Sequence, residues 1–158
     1  MAWDAADFVL FGAMLALVSV TYRLATRKTS NTAYRIAVGV ARAAAFVLVW
    51  VNGAVGIIGD ARDEANLMYI GVLAVGIIGA IIARFQPRGM ARALSATALT
   101  QAVVAVIAIV AGLGSYGPTW PRDIVVLSGL FVALWLISAR LFMVAERERT
   151  SARAEPEG

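Results

Sequence analysis

Three polar side chains stand inside otherwise apolar runs of this sequence: Arg42, Asn52 and Gln101. Arg42 lies about six residues inside its run, or ~9 Å at ~1.5 Å per residue. An arginine at mid-span costs about 2.5–3.5 kcal/mol on insertion scales. Three arrangements relieve that cost. The side chain can snorkel to the headgroups, bond an internal partner such as Gln101, or hold an anionic ligand. Asn52 and Gln101 are the deepest uncharged polar groups. Hydrogen bonds of this kind between membrane helices average about 0.6 kcal/mol, so their plainer role is to join helices. With Thr97 and Thr100, Gln101 also forms a polar stripe able to line a small cavity. Arg42, Asn52 and Gln101 are therefore the candidate contacts for a ligand or lipid.

Other chemistry is absent by residue type. The chain has no histidine and no cysteine. That removes disulfides, thiolate zinc, iron–sulfur clusters, histidine-ligated haem and histidine proton relays. Its only lysine, Lys28, sits beside Arg27 in a polar loop and cannot carry a retinal Schiff base. Ser19, Ser95, Ser128 and Ser138 have no histidine or membrane-embedded lysine to activate them. The acidic stretch with Asp60, Arg62, Asp63, Glu64 and Asn66 lacks the alternating carboxylates and central glycine of a calcium loop, and reads as a solvated outer loop. Gly59-Asp60 is similar to the Gly-x-Gly-Asp of intramembrane aspartyl proteases. The first glycine is misplaced, however, and no second membrane aspartate exists. We expect no catalytic residue, no metal and no cofactor.

The elements that hold these residues follow from composition. Apolar residues make up 61% of the chain and charged residues 15%. Soluble domains are about 45–50% apolar and about 25% charged. Lipid must be the solvent for such a surface. Unbroken apolar runs, rather than alternation at period two, predict an all-α polytopic membrane bundle. One domain, 1–145, holds five transmembrane helices, with spans at about 8–24, 36–59, 67–85, 93–113 and 124–144. Residues 146–158 form a charged cytoplasmic tail that is expected to fray. No basic residue precedes the first run and no small-residue cleavage site closes it, so we expect it to be kept as a helix.

Glycines mark the middle of the chain. Gly53, Gly56 and Gly59 recur every third residue in the second span, and Gly71, Gly76 and Gly79 thin the third. Small residues let membrane helices approach closely. The expected arrangement is a hairpin of these two spans, packed along a glycine seam around the acidic loop, or a seam for a second copy. Val55-Gly56-Ile57-Ile58-Gly59 recurs as Val75-Gly76-Ile77-Ile78-Gly79. In so apolar and glycine-rich an alphabet the match is read as chance.

Charge sets the expected orientation. One side receives Arg23, Arg27, Lys28, Arg35, Arg84, Arg88, Arg92, Arg140, Arg147, Arg149 and Arg153, and the other only Arg62 and Arg122. By the positive-inside rule the first side is cytoplasmic, with the N-terminus out and the C-terminus in. The net charge of +4 then reads as contact with the bilayer and its anionic headgroups on the cytoplasmic side, not as nucleic-acid binding. Trp3, Tyr69, Tyr116 and Trp120 fall at the outer interface, as an aromatic belt would.

The runs Val51-Asn-Gly-Ala-Val-Gly-Ile-Ile-Gly59, Asn66-Leu-Met68 and Ala83-Arg-Phe-Gln-Pro-Arg-Gly-Met-Ala91 resemble small uncharacterised bacterial inner-membrane proteins. The resemblance covers roughly the middle half of the chain. It implies a bacterial inner membrane as location and no particular activity. Small multidrug transporters are close in size, but they carry a glutamate in their first span, where this chain has none and only Asp7 at the mouth. The expected function is that of a non-catalytic accessory or assembly subunit, or of a component that associates with itself or another membrane protein. The alternative is a small-solute or lipid-handling transporter using Arg42, Asn52 and Gln101.

Overall fold

The first two α-helices start at side-chain caps, and the fourth starts on a proline. We describe a computed structural model covering residues 4–26, 31–59 and 62–155. Helix α1 spans Ala5–Thr26. Ahead of it Asp4 and Asp7 cap one another's backbone N–H groups at 3.0 and 3.1 Å, a capping box with two charges at the positive end of the helix dipole. Helix α2, Thr32–Ala54, is capped by Asn31, whose side chain accepts from the Tyr34 N–H at 3.0 Å. A 3₁₀ turn, Glu64–Leu67, is capped by Asp63 and leads into α3, Met68–Ile82. Helix α4, Pro87–Val110, begins on a proline, whose missing N–H costs nothing at that position. Helix α5, Arg122–Ala154, is the longest.

The second span is shorter than expected. It ends at Ala54 instead of 59, because Gly56 takes φ of +82° and its N–H closes on the Val51 carbonyl at 2.9 Å. The last span is longer. Residues 146–154 continue α5 as helix where a fraying tail was expected. Asn31 donates to Glu148 at 3.0 Å and Arg149 donates to the Gln86 side chain at 2.7 Å, which ties those turns to both neighbouring loops.

Helices α2, α5, α4 and α3 lie side by side in that order, and α1 packs on the far side of α2. Chain neighbours α2 and α3 barely touch, so the expected hairpin seam between them does not form. The glycines divide accordingly. Gly76 and Gly79 face α4: a Cβ on Gly79 would lie 2.7 Å from the Ala93 Cβ, and one on Gly76 would lie 3.1 Å from the Thr97 hydroxyl. Gly53 and Gly71 face open space. Gly56 and Gly59 are not helical, with φ of +82° and +67°. The seam is thus a short α3–α4 contact, and Gly53, Gly56, Gly59 and Gly71 are not part of it.

Polar side chains fasten the four-helix block. Ser138 on α5 donates to the Ala37 carbonyl on α2 at 2.7 Å. Tyr69 on α3 and Ser128 on α5 share a hydrogen bond of 2.9 Å. Tyr34 donates to the Phe85 carbonyl in the α3–α4 turn at 2.6 Å, and its ring meets Phe142 edge-on at 5.2 Å. That turn is tight enough to hold Arg84 and Phe85 at φ of 51° and 57°, a conformation that costs an L-residue about 1–2 kcal/mol.

At the opposite end, three loop segments meet. Asn66 is buried and accepts from the Ile57 and Ile58 N–H groups at 3.0 and 2.9 Å, while its amide donates to the Ile58 carbonyl at 3.0 Å. Gly114 lies so close to this strand of backbone that a Cβ there would sit 2.4 Å from the Gly59 nitrogen. Tyr116 donates to Asp63 at 2.7 Å. Buried backbone polar groups need a partner, and Asn66 supplies it here. Asp60 lies outside the described residues, so the acidic stretch is defined only from Arg62 onward.

The aromatic belt is also revised. Tyr69 is 1% exposed and faces the core. Trp120 is half-buried and donates to the Leu113 carbonyl at 3.0 Å. Tyr116 is exposed, and Trp3 lies outside the described residues.

Candidate functional site: a cationic groove between α1 and α2

The three polar candidates occupy separate places. Gln101 on α4 is fully buried, accepts from the Trp135 indole N–H at 3.3 Å, and leaves its amide nitrogen without a hydrogen-bond partner. Asn52, in the last turn of α2, donates to the Leu48 carbonyl one turn back at 2.8 Å, and its side-chain oxygen is unpartnered. Arg42 points the other way, toward α1. No hydrogen bond joins any two of them. The expected pair of Arg42 with Gln101 does not form, because Gln101 faces α5 and Arg42 faces α1.

The α1–α2 contact is built differently from the rest. Its centre is an aromatic cluster: Phe11 lies 5.7 Å from Phe46 and 5.1 Å from Trp50 between ring centroids. Such pairs contribute about 0.5–1.5 kcal/mol each beyond the area they bury. On either side of the cluster the helices part. Toward Asp7 there is a small groove of about 170 Å³ floored by Trp50 and Gly53. Toward the other end, two larger grooves of about 510 and 440 Å³ share Tyr22 and Gly39. Gly39 has only the Tyr22 ring beside it, at 3.9 Å, so the glycine here opens space instead of closing it.

Arg42 lines the largest groove with Arg23, and Arg35 lines the third. None of the residues lining these two grooves is acidic. The Arg42 guanidinium lies over the Tyr22 ring, 5.2 Å from its centroid. Cation–π contact contributes roughly 0.5–2 kcal/mol, more where water is excluded. Since Tyr22 stands opposite Gly39, one helical turn from Arg42, the side chain leans along its helix toward the Arg35 end. One guanidinium nitrogen, Nη2, is buried and has no hydrogen-bond partner. The guanidinium carbon thus sits over the ring, and Nη2 is a donor whose hydrogen-bonding need is unmet.

The partners that sequence reasoning missed were Tyr22, Trp135 and Asn66. Trp135 carried a signal: an indole N–H at mid-span needs an acceptor, and Gln101 is the deep amide on the preceding helix. Tyr22 and Asn66 looked like boundary residues.

Among the described residues, α2, α3 together with the 3₁₀ turn before it, α4 and α5 are long and apolar enough to cross a membrane, and α1 is apolar over Ala5–Leu17. The chain is thus an α-helical, multi-pass membrane protein. Comparison with protein-family models, with curated proteins and with solved structures finds no match.

Proposed function

We propose that this chain is a non-catalytic component of a bacterial inner membrane, an accessory or assembly subunit that works through its lipid-facing α1–α2 side. All five helices cross in this reading. Helix α1, with 22 residues, is ~33 Å long, against ~30 Å of hydrocarbon. The eleven basic residues on one side against two on the other support an N-terminus outside and a C-terminus in the cytoplasm. The bacterial inner membrane follows from the resemblance of the 51–91 region.

The observation that carries the reading is how the polar groups are used. In the α2–α5–α4–α3 block, Gln101, Ser138, Tyr69 and Tyr34 tie the helices and the α3–α4 turn to one another. A solute path needs such groups turned into a cavity, and neither Gln101 nor Asn52 lines the grooves along α1. The transporter alternative keeps one supporting observation, the Arg42 groove, and the lining of that groove includes the exposed apolar residues Leu15 and Val47.

Reporter fusions and mild-detergent purification test this. A reporter active only in the cytoplasm should work behind the C-terminus, and a periplasmic one ahead of the N-terminus. A membrane protein or second copy should co-purify in fixed stoichiometry. Termini on one side would end the five-span topology. Saturable uptake of a soluble solute into vesicles holding the pure protein would end the accessory reading.

A further inference from the structure

We propose that the groove at Arg42 holds one anionic phospholipid, its phosphate on the Arg42 guanidinium and an acyl chain along Leu15 and Phe46. The site rests on the reading above, which puts this end of α1 and α2 in the cytoplasmic leaflet.

Three features select this occupant. The first is charge. Arg42, Arg23 and Arg35 surround Tyr22, with no acidic residue in the lining of either groove. The second is geometry. Contact with the Tyr22 ring holds the guanidinium in the groove, and Nη2 is buried and without a partner, so an acceptor that reaches it would meet an unsatisfied donor. A guanidinium can offer parallel N–H donors to a phosphate, which an ammonium cannot do. The third is the division of the groove itself. Its arginine end is polar, and its other end is apolar, with Leu15 43% and Val47 41% exposed. A free phosphate would use only the first half. A phospholipid uses both.

The test is native mass spectrometry of the full chain in detergent, with phosphatidylglycerol or phosphatidylcholine added. Wild type should retain one phosphatidylglycerol about tenfold better than phosphatidylcholine, a difference of about 1.4 kcal/mol. Arg42→Gln should lose that preference. Arg42→Lys should recover only part of it. Leu15→Trp, which fills the apolar half and leaves every arginine in place, should also release the lipid. Glycerol phosphate, which has no acyl chain, should not displace it. Equal retention of both lipids by wild type would overturn the site, as would full retention by Leu15→Trp or displacement by glycerol phosphate. Melting of each variant in lipid-free detergent separates a lost site from a lost fold. If Arg42→Gln does not fold, Leu15→Trp decides. The reporter fusions above are independent of this result, so a failed lipid site and a failed topology are distinguishable.

Discussion

The same five residues, Val-Gly-Ile-Ile-Gly, occur at 55–59 and at 75–79 and adopt two different structures. In the first copy the helix has ended, both glycines have positive φ, and Ile57 and Ile58 are 1% and 0% exposed. In the second copy the residues are helical, and Ile77 and Ile78 are 61% and 56% exposed. Local propensity is identical, so the difference comes from what each copy meets. The second lies mid-helix, where its own backbone satisfies every N–H and C=O and its glycines admit α4. The first meets Asn66, which supplies the hydrogen bonds a continued helix would have made. A buried backbone accepts departure from helix only when such a partner exists.

Removing that partner should therefore have the largest effect. Asn66→Leu strands two buried N–H groups and a carbonyl, each worth about 1–3 kcal/mol. We expect a loss of about 3 kcal/mol or more. Hydrogen exchange should speed up at Ile57 and Ile58 and stay slow at Ile77 and Ile78. Unchanged protection at 57–58 would mean that something other than Asn66 holds the first copy. Gly114→Ala comes next. Its Cβ would meet the Gly59 backbone at 2.4 Å, and its φ is +73°, so about 2 kcal/mol should go. The Tyr116–Asp63 contact should loosen with it, visible as a shifted Tyr116 ring resonance.

Gly79→Ala probes the second copy. The new methyl meets the Ala93 Cβ at 2.7 Å, and overpacking of this kind costs about 1–3 kcal/mol. Ala93→Gly should rescue it, which a merely local helix effect would not permit. The smallest effect belongs to Gly53→Ala. Nothing lies within 4 Å of its missing Cβ, so Tm in detergent should hold steady or rise slightly, within about 1 kcal/mol. A large loss there would restore the α2–α3 glycine seam that the structure lacks.

The helices themselves were legible in the sequence, because a long apolar run in lipid must close its backbone hydrogen bonds within a helix. Their packing order was not. Lipid surrounds the bundle, so no polar face on a helix points away from its partner, and Gly53 and Gly76 look alike until the neighbours are known. Chain adjacency argued for α2 against α3, whereas α5 takes the place beside α2 through Ser138. Asn66 was hidden among charged neighbours that do face water. For the site, Arg42 stood out as an isolated charge in an apolar run, but its contact Tyr22 lies across a loop on another helix, and no spacing rule connects the two. The charged composition of 146–154 concealed a helix fastened at Asn31 and Gln86, since fraying depends on what the turns can dock against.

The length of α5 has a mechanical consequence. Its 33 residues make a rod of ~50 Å, while the hydrocarbon is only ~30 Å thick. The turns in excess of that length are braced through Glu148 and Arg149 by the Asn31 and Gln86 contacts. A rod of that kind converts tilt into sideways travel: a change of ~10° at the bilayer moves its tip by several ångströms.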